Sequence, residues 1–348
     1  MKLFILIAAM LLLIPYAAFG AAKEPIVFAT YADGAQQLQH ALVLTQSIRS
    51  FGGRLKEAPI WVFAPQRLLD TQREMFPKFG ELKAELKPSE APQEALIYPF
   101  GGKVFGAAAA EAEAKGTASI LAWLDEDTVV LGEPKELLLA KGKTLGCRPV
   151  TKQNIGSLFD EAPDAFWNRV YDKLSIPTTD LFPMKTVADG RTIRPYVNAG
   201  LLAVRPERGI LEKWAEVFPI LYRDAQIAGM CRNDQAKRLF LHQAALAGAI
   251  LELLKKDEMV ELSSAYNYPL FIKEMYGAEK EFDNLDGVVT LRYDVYFQKP
   301  APDWAQKLKG PADEIAWLKE HLGNDAGARE GTSTKMRFRF QQKEGGRK

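Results

Sequence analysis

The sequence predicts an α/β fold, with a mostly parallel central sheet flanked by helices. Three observations predict it. Short unbroken apolar runs, Ile26–Thr30, Ile60–Phe63 and Ile120–Leu124, have the length and composition of strands covered on both faces. These runs alternate with stretches of helical periodicity, the order that builds a parallel sheet through crossover connections. The third run ends abruptly in Asp125-Glu126-Asp127. Burying unpaired carboxylates costs several kcal/mol, so the strand must leave the core there. In an open α/β sheet, that carboxyl-end crevice is where ligands bind.

The elements follow in order. After the first strand, Tyr31-Ala-Asp33-Gly34 forms a turn. A helix runs from Ala35 to Phe51, with Leu38, Ala41, Leu42, Thr45 and Ile48 on one stripe. Gly52-Gly53 stops it. The second strand, 60–63, ends at Pro65. A helix near 68–76 and a strand near 82–86 come next. Residues 88–102 are irregular, and Lys103 opens an Ala-rich helix of high intrinsic propensity that reaches Lys115. Gly116 ends it, and the central strand spans 119–124. Beyond Leu131 the pattern predicts a strand at 145–150, a helix at 165–174 and a long loop through 176–183. A strand occupies the second half of Tyr196–Pro206, after Asn198-Ala-Gly200. Helices at 208–222 and 234–255 follow, then strands at 259–262 and 288–292, with a turn at Tyr266–Pro269 between them.

The ends read differently from the middle. Met1-Lys2, an apolar stretch from Leu3 to Phe19 and small residues at 20–22 make residues 1–22 a secretory signal peptide, or an uncleaved anchor. Either reading implies an exported, extracytoplasmic protein, periplasmic or secreted, or membrane-anchored if the signal stays. Residues 23–322 form a single α/β domain, and 323–348 a flexible basic tail. Lys and Arg number 45 against 44 Asp and Glu, a balance that excludes bulk attraction to nucleic acid. Cys147 and Cys231 would meet an oxidising compartment, either bonded to each other or as two buried thiols. His40, His242 and His321 are too scattered for a zinc site.

Asp125 and Asp127 are two residues apart and could converge on one hard cation, which takes oxygen ligands and bridges to phosphates. The plainer reading is a solvated turn with an Asp capping the next segment. Tyr31 and Asp33 read as a turn, Lys103 as a first-turn lysine, Asn198-Ala-Gly200 as a turn before a core strand, and His242 as a packing histidine.

Four pieces stand in series: the Tyr31/Asp33 turn, Trp123-Leu-Asp125-Glu-Asp127, Asn198-Ala-Gly-Leu-Leu-Ala-Val-Arg-Pro206 and His242-Gln243-Ala-Ala-Leu246. Over residues 25–300 the sequence resembles the GT-A nucleotide-sugar glycosyltransferases, most like glycosyltransferase family 8. That family carries a metal-binding D-x-D strand, then an N-A-G strand, then a D-Q helix. The resemblance implies a nucleotide-diphospho-sugar transferase-like, Rossmann-like fold. It implies that Thr30, Tyr31 and Asp33 line the nucleotide pocket and that Lys103 lies near the diphosphate or sugar. Asp125 and Asp127 would hold Mn²⁺ or Mg²⁺, with Glu126 beside them at the nucleotide sugar. Asn198, His242 and Gln243 would face the donor sugar or acceptor as catalytic residues. His242 stands where the family has an acid, and Asp234-Gln235 is a second match to the D-Q pair. The late segment Leu291–Pro300 has no histidine where the family often supplies one to the metal.

The function expected is an exported hexosyltransferase moving a sugar from a nucleoside-diphosphate donor to a glycan or lipid-linked acceptor, with membrane-surface association. The alternative is a non-catalytic extracytoplasmic carbohydrate-binding or envelope scaffold protein on the same fold. A two-lobed solute-binding protein would suit the export signal but leaves the acidic strand end unexplained.

Overall fold

The structure, a computed structural model, describes residues 23–272, 282–293 and 301–323. The expected signal segment 1–22 and the tail beyond Gly323 lie outside the described residues, as do residues 294–300 of the late family segment. The chain runs β1 (Val27–Tyr31), α1 (Ala35–Phe51), β2 (Ile60–Ala64), α2 (Gln66–Thr71), α3 (Met75–Glu81), β3 (Ala84–Pro88), α4 (Gly101–Ala114), β4 (Leu121–Leu124) and β5 (Thr128–Val130). It continues with β6 (Leu145–Pro149), α5 (Ala165–Lys173), β7 (Met184–Lys185), β8 (Thr192–Ile193), β9 (Val197–Val204), α6 (Ile210–Tyr222), α7 (Ala225–Asn233) and α8 (Gln235–Leu253). Strands β10 (Met259–Glu261), β11 (Tyr268–Pro269) and β12 (Thr290–Arg292), then helices α9 (Trp304–Lys307) and α10 (Ala312–Gly323), complete it.

Seven strands form the main sheet in the order β10-β6-β9-β4-β1-β2-β3. All neighbours pair in parallel except β9, which is antiparallel to both β4 and β6. The expected mostly parallel sheet flanked by helices is therefore observed. Alternation along each strand divides the core in two. Val27, Ala29 and Tyr31 of β1 and Trp123 of β4 face a cluster with Val104 and Ala107 of α4, Trp214 of α6 and Ala245 of α8. Phe28, Ala122 and Leu124 face the opposite cluster under α1. A small sheet, β11-β12-β5, carries a third cluster with Trp304 and Leu318.

Two helix starts are held by buried acids. Glu111 of α4 is fully buried and accepts from the backbone N–H groups of Ile210, Leu211 and Glu212 at 3.0, 2.7 and 2.8 Å, closing the start of α6. Asp224 caps α7 through the N–H groups of Gln226 and Ile227, both at 3.1 Å, and Arg169 Nη2 reaches it at 2.7 Å. Such charge-assisted caps satisfy donors that a helix leaves unpaired.

Four local expectations change. The single helix near 68–76 is two short helices, because Pro77 belongs in a first turn and so starts α3 anew. The loop before Asp234 contains α7, which the sequence reading missed. Asn198 lies inside β9 rather than in a turn ahead of it. Tyr268–Pro269 is a short strand, not only a turn. Cys147 and Cys231 are not bonded; both are buried thiols.

Candidate active site

Four elements converge at the carboxyl end of β4. Asp125 follows β4 directly, and its N–H donates to Gly200 O at 2.8 Å, fixing it against β9. Lys103, in the first turn of α4, is buried, and its Nζ lies 2.6 Å from Asp125 Oδ1 and 2.8 Å from Oδ2. Asn198 Oδ1 accepts from Gly200 N–H at 2.8 Å. A Cβ at position 200 would fall 2.6 Å from Asp125 Oδ2 and 2.9 Å from Asn198 Oδ1, so only glycine permits this approach. Gln243 of α8 holds the same strand from behind: Ala199 N–H donates to its Oε1 at 3.2 Å, and its Nε2 donates to the Tyr196 hydroxyl at 3.1 Å.

His242 is buried beside this group. Its Nδ1 is 2.9 Å from Leu239 O, and its ring centroid is 4.7 Å from that of Phe100. Burial, and next the Lys103 charge, hold the imidazole well below its usual pKa, so it is neutral at physiological pH. Trp214 Nε1 donates to His242 O at 2.7 Å and locks that turn of α8. The other match to the D-Q pair, Asp234, caps α8 by accepting from Ala236 and Lys237 N–H groups.

Glu126 and Asp127 complete the acidic strand end, both half-buried. Burial, then repulsion from Asp127 and Asp125, push the Glu126 carboxyl well above the usual range. Asp125 is thus paired with the Lys103 ammonium, and Glu126 and Asp127 crowd beside it. Asp125 and Asp127 offer only oxygen donors, the kind a hard divalent cation takes, and Asp125 already holds Lys103. Among the described residues no group of three or more His, Cys, Asp or Glu is placed to hold a metal ion. Further ligands would then come from water and phosphate oxygens, as is common for Mg²⁺.

The first turn contributes unevenly. Thr30 is buried, and its hydroxyl has no hydrogen-bond partner among the described residues. Tyr31 is buried under α4, where a Cβ at Gly102 would fall 2.3 Å from its hydroxyl; α4 needs glycine there to sit so close. Asp33 is exposed on the turn itself. Lys103, Asp125, Asn198, His242 and Gln243 are therefore brought together, with Glu126 and Asp127 adjacent. Thr30 and Tyr31 close the end of β1, which lies next to β4 in the sheet. Sequence reasoning missed Tyr196, whose place directly before the Asn198 motif was the available signal. It also missed Phe100, which stands just before the Gly101-Gly102 pair.

The sheet, the antiparallel β9 and the acidic end of β4 define a GT-A-fold, glycosyltransferase-like domain. The sequence model of the Rhodobacterales glycosyltransferase domain matches residues 29–253, and the chain belongs to that family. No curated protein matches by sequence. Among solved structures, a galactosyltransferase, LgtC, in complex with donor and acceptor sugar analogues is 14% identical. That alignment covers 88% of this chain and 98% of LgtC, with a TM-score of 0.43. Mouse xyloside xylosyltransferase 1 is 12% identical over 78% of this chain and 98% of its own, at 0.44. The glycosyltransferase GlyE of Streptococcus pneumoniae is 14% identical over 86% of this chain and 60% of its own, at 0.41.

Proposed function

We propose that this chain is a glycosyltransferase of the family 8 type, moving a hexose from a nucleoside-diphosphate sugar to a glycan or lipid-linked acceptor outside the cytoplasm. The observation that carries the reading is the Lys103–Asp125 pair set against Asn198 and Gly200 at the carboxyl end of β4. Breaking a glycosidic bond to a nucleoside diphosphate builds negative charge on the leaving oxygen. Preorganised positive charge at that point lowers the barrier. The Lys103 ammonium, held by two carboxylate contacts, is such a charge. A divalent cation held by Asp125 and Asp127 would supply Lewis-acid neutralisation of the diphosphate.

In this reading Thr30, Tyr31 and Asp33 border the nucleoside. Asn198 faces the donor sugar from β9, with its strand braced by Gln243. Neutral His242 offers a ring to pack on, not a positive charge. Calorimetry of UDP, with and without Mn²⁺, tests the reading on the parent and on Asp127→Ala. The parent is expected to bind UDP more tightly with Mn²⁺, and the variant to lose that gain. A parent that binds no nucleotide under either condition, and turns over no sugar nucleotide, leaves the non-catalytic scaffold reading in its place.

A further inference from the structure

Six large apolar side chains are exposed among the described residues, and three of them fall within one five-residue stretch beside the site. These are Leu96, Ile97 and Phe100, with 39%, 61% and 47% of their surface open. The stretch is anchored firmly. Ala95, just before it, is fully buried, and Tyr98 within it stacks on Tyr222 at 5.6 Å and meets Phe218 edge-on at 6.1 Å. Arg238 Nη2 donates to Ile97 O at 2.7 Å. Phe100 adopts φ 63°, a left-handed conformation that a bulky residue takes only when its surroundings impose it. Its ring packs on His242 at 4.7 Å, and about half of its surface stays open.

Lys103 Nζ, buried and paired with Asp125, lies 5.4 Å from the Phe100 ring centroid, so the exposed cations beside the patch are arginines. Arg232 and Arg238, both exposed, act on the Tyr98 hydroxyl with their charges. The neighbouring acid, Glu94, is matched by Arg223 at 2.8 Å. Aliphatic side chains offer nothing to sugar hydroxyls. Exposed hydrocarbon with a basic rim is instead the pattern of a surface that enters the headgroup region of an anionic membrane. The patch stands at the carboxyl edge of the sheet. Glu24 pairs with Ala118 at the opposite edge.

We infer that Leu96, Ile97 and Phe100, with Arg232 and Arg238, form a docking surface for an anionic lipid bilayer, from which a lipid-linked acceptor reaches Lys103 and Asp125. The acceptor half of this inference rests on the transferase reading; the docking half does not. The test is co-sedimentation of the full chain with phosphatidylcholine vesicles, and with phosphatidylcholine mixed with phosphatidylglycerol. It uses the parent, the double variant Leu96→Gln/Ile97→Gln and the variant Arg232→Gln. The N-terminal apolar run and the basic C-terminal run are common to all three chains, so differences between chains report the patch.

The parent is expected to prefer the mixed vesicles, with binding that weakens in salt. The double variant should lose about tenfold or more in affinity, since two side chains no longer bury apolar area. Arg232→Gln should lose less, and only on the mixed vesicles. UDP binding and melting temperature should stay at parental values in both variants. Equal vesicle binding by parent and double variant overturns the inference. So does a parent that dimerises through this patch without lipid, which would make a second copy the occupant. Vesicle binding that survives while UDP binding is absent overturns the transferase reading alone. The reverse result overturns the docking surface alone.

Discussion

The molecule treats its buried and half-buried acids in two opposite ways, and the contrast locates function. At the helix starts, each carboxylate is matched to fixed partners. Glu111 serves three N–H groups of α6, and Asp224 serves two N–H groups of α7 together with Arg169 and Lys173. At the end of β4, three consecutive acids repel one another, and Asp125 is paired with the ammonium of Lys103. Caps of the first kind hold the fold together. Crowding of the second kind costs stability, and persists because the surrounding sheet imposes it. The two regions should therefore respond to mutation with opposite signs.

The largest expected effect is at Glu111. Glu111→Ala strands three N–H donors at once, two of them buried, and should cost about 3–5 kcal/mol in urea unfolding. A loss under about 1 kcal/mol would mean that α6 does not need this cap. The same residue sets a pH dependence. Burial pushes its carboxyl up from the ordinary 4.5 to about 7, against the pull of the three N–H groups. The folded state then holds the proton more tightly than the unfolded chain. The resulting stability is fully present below about pH 4.5 and declines as the pH rises through about 7, by up to about 3 kcal/mol. Comparing melts of the parent and Glu111→Gln from pH 5 to 8 isolates the effect, because the parent alone should lose ground.

Asp224 should behave in the reverse sense. The Arg169 hydrogen bond, first among its causes, holds its carboxyl well below the usual range. Its stabilisation is fully present above the ordinary carboxylate pKa and is lost as the pH falls below that value toward the depressed folded one. Asp224→Ala should cost about 2 kcal/mol at pH 7, a cap and an ion pair together. That penalty should shrink in acid, and a penalty constant with pH would show that the charge is not involved.

Much of this contrast was legible in the sequence on one side only. The acidic end of β4 stood out because Leu121–Leu124 is apolar without interruption, and three acids cannot continue such a strand. Helix α1 was legible to the residue, since Gly34 and Gly52 bracket a clean stripe. The caps were not legible. Glu111 sits in an Ala-rich helix where a glutamate looks solvated, and its partners are about a hundred residues away. Pro77 did carry a local signal for the start of α3. Helix α7 was hidden because Gly229 weakens its pattern and its cap, Asp224, resembles any loop aspartate. Phe100 gives no sign in sequence of its left-handed backbone.

The smallest effect on stability is expected where the effect on function is greatest. Asp127 stands in the crowded group, with β5 starting at the next residue. Its backbone carbonyl accepts from Tyr293 N–H at 3.1 Å, a bond that any side chain leaves in place. Asp127→Asn keeps the shape and removes one negative charge from a cluster that raises the pKa of Glu126. Unfolding stability should therefore stay within about 1 kcal/mol of the parent or rise by that amount, since relieving like-charge repulsion is favourable. The asparagine oxygen is a weaker ligand than a carboxylate, so Mn²⁺-dependent UDP binding should fall even though the fold is unharmed. Urea unfolding and calorimetry on the same protein preparation read the two effects separately. A variant that loses several kcal/mol would place Asp127 with Glu111 and Asp224 among the structural acids, and the contrast between the two regions would collapse.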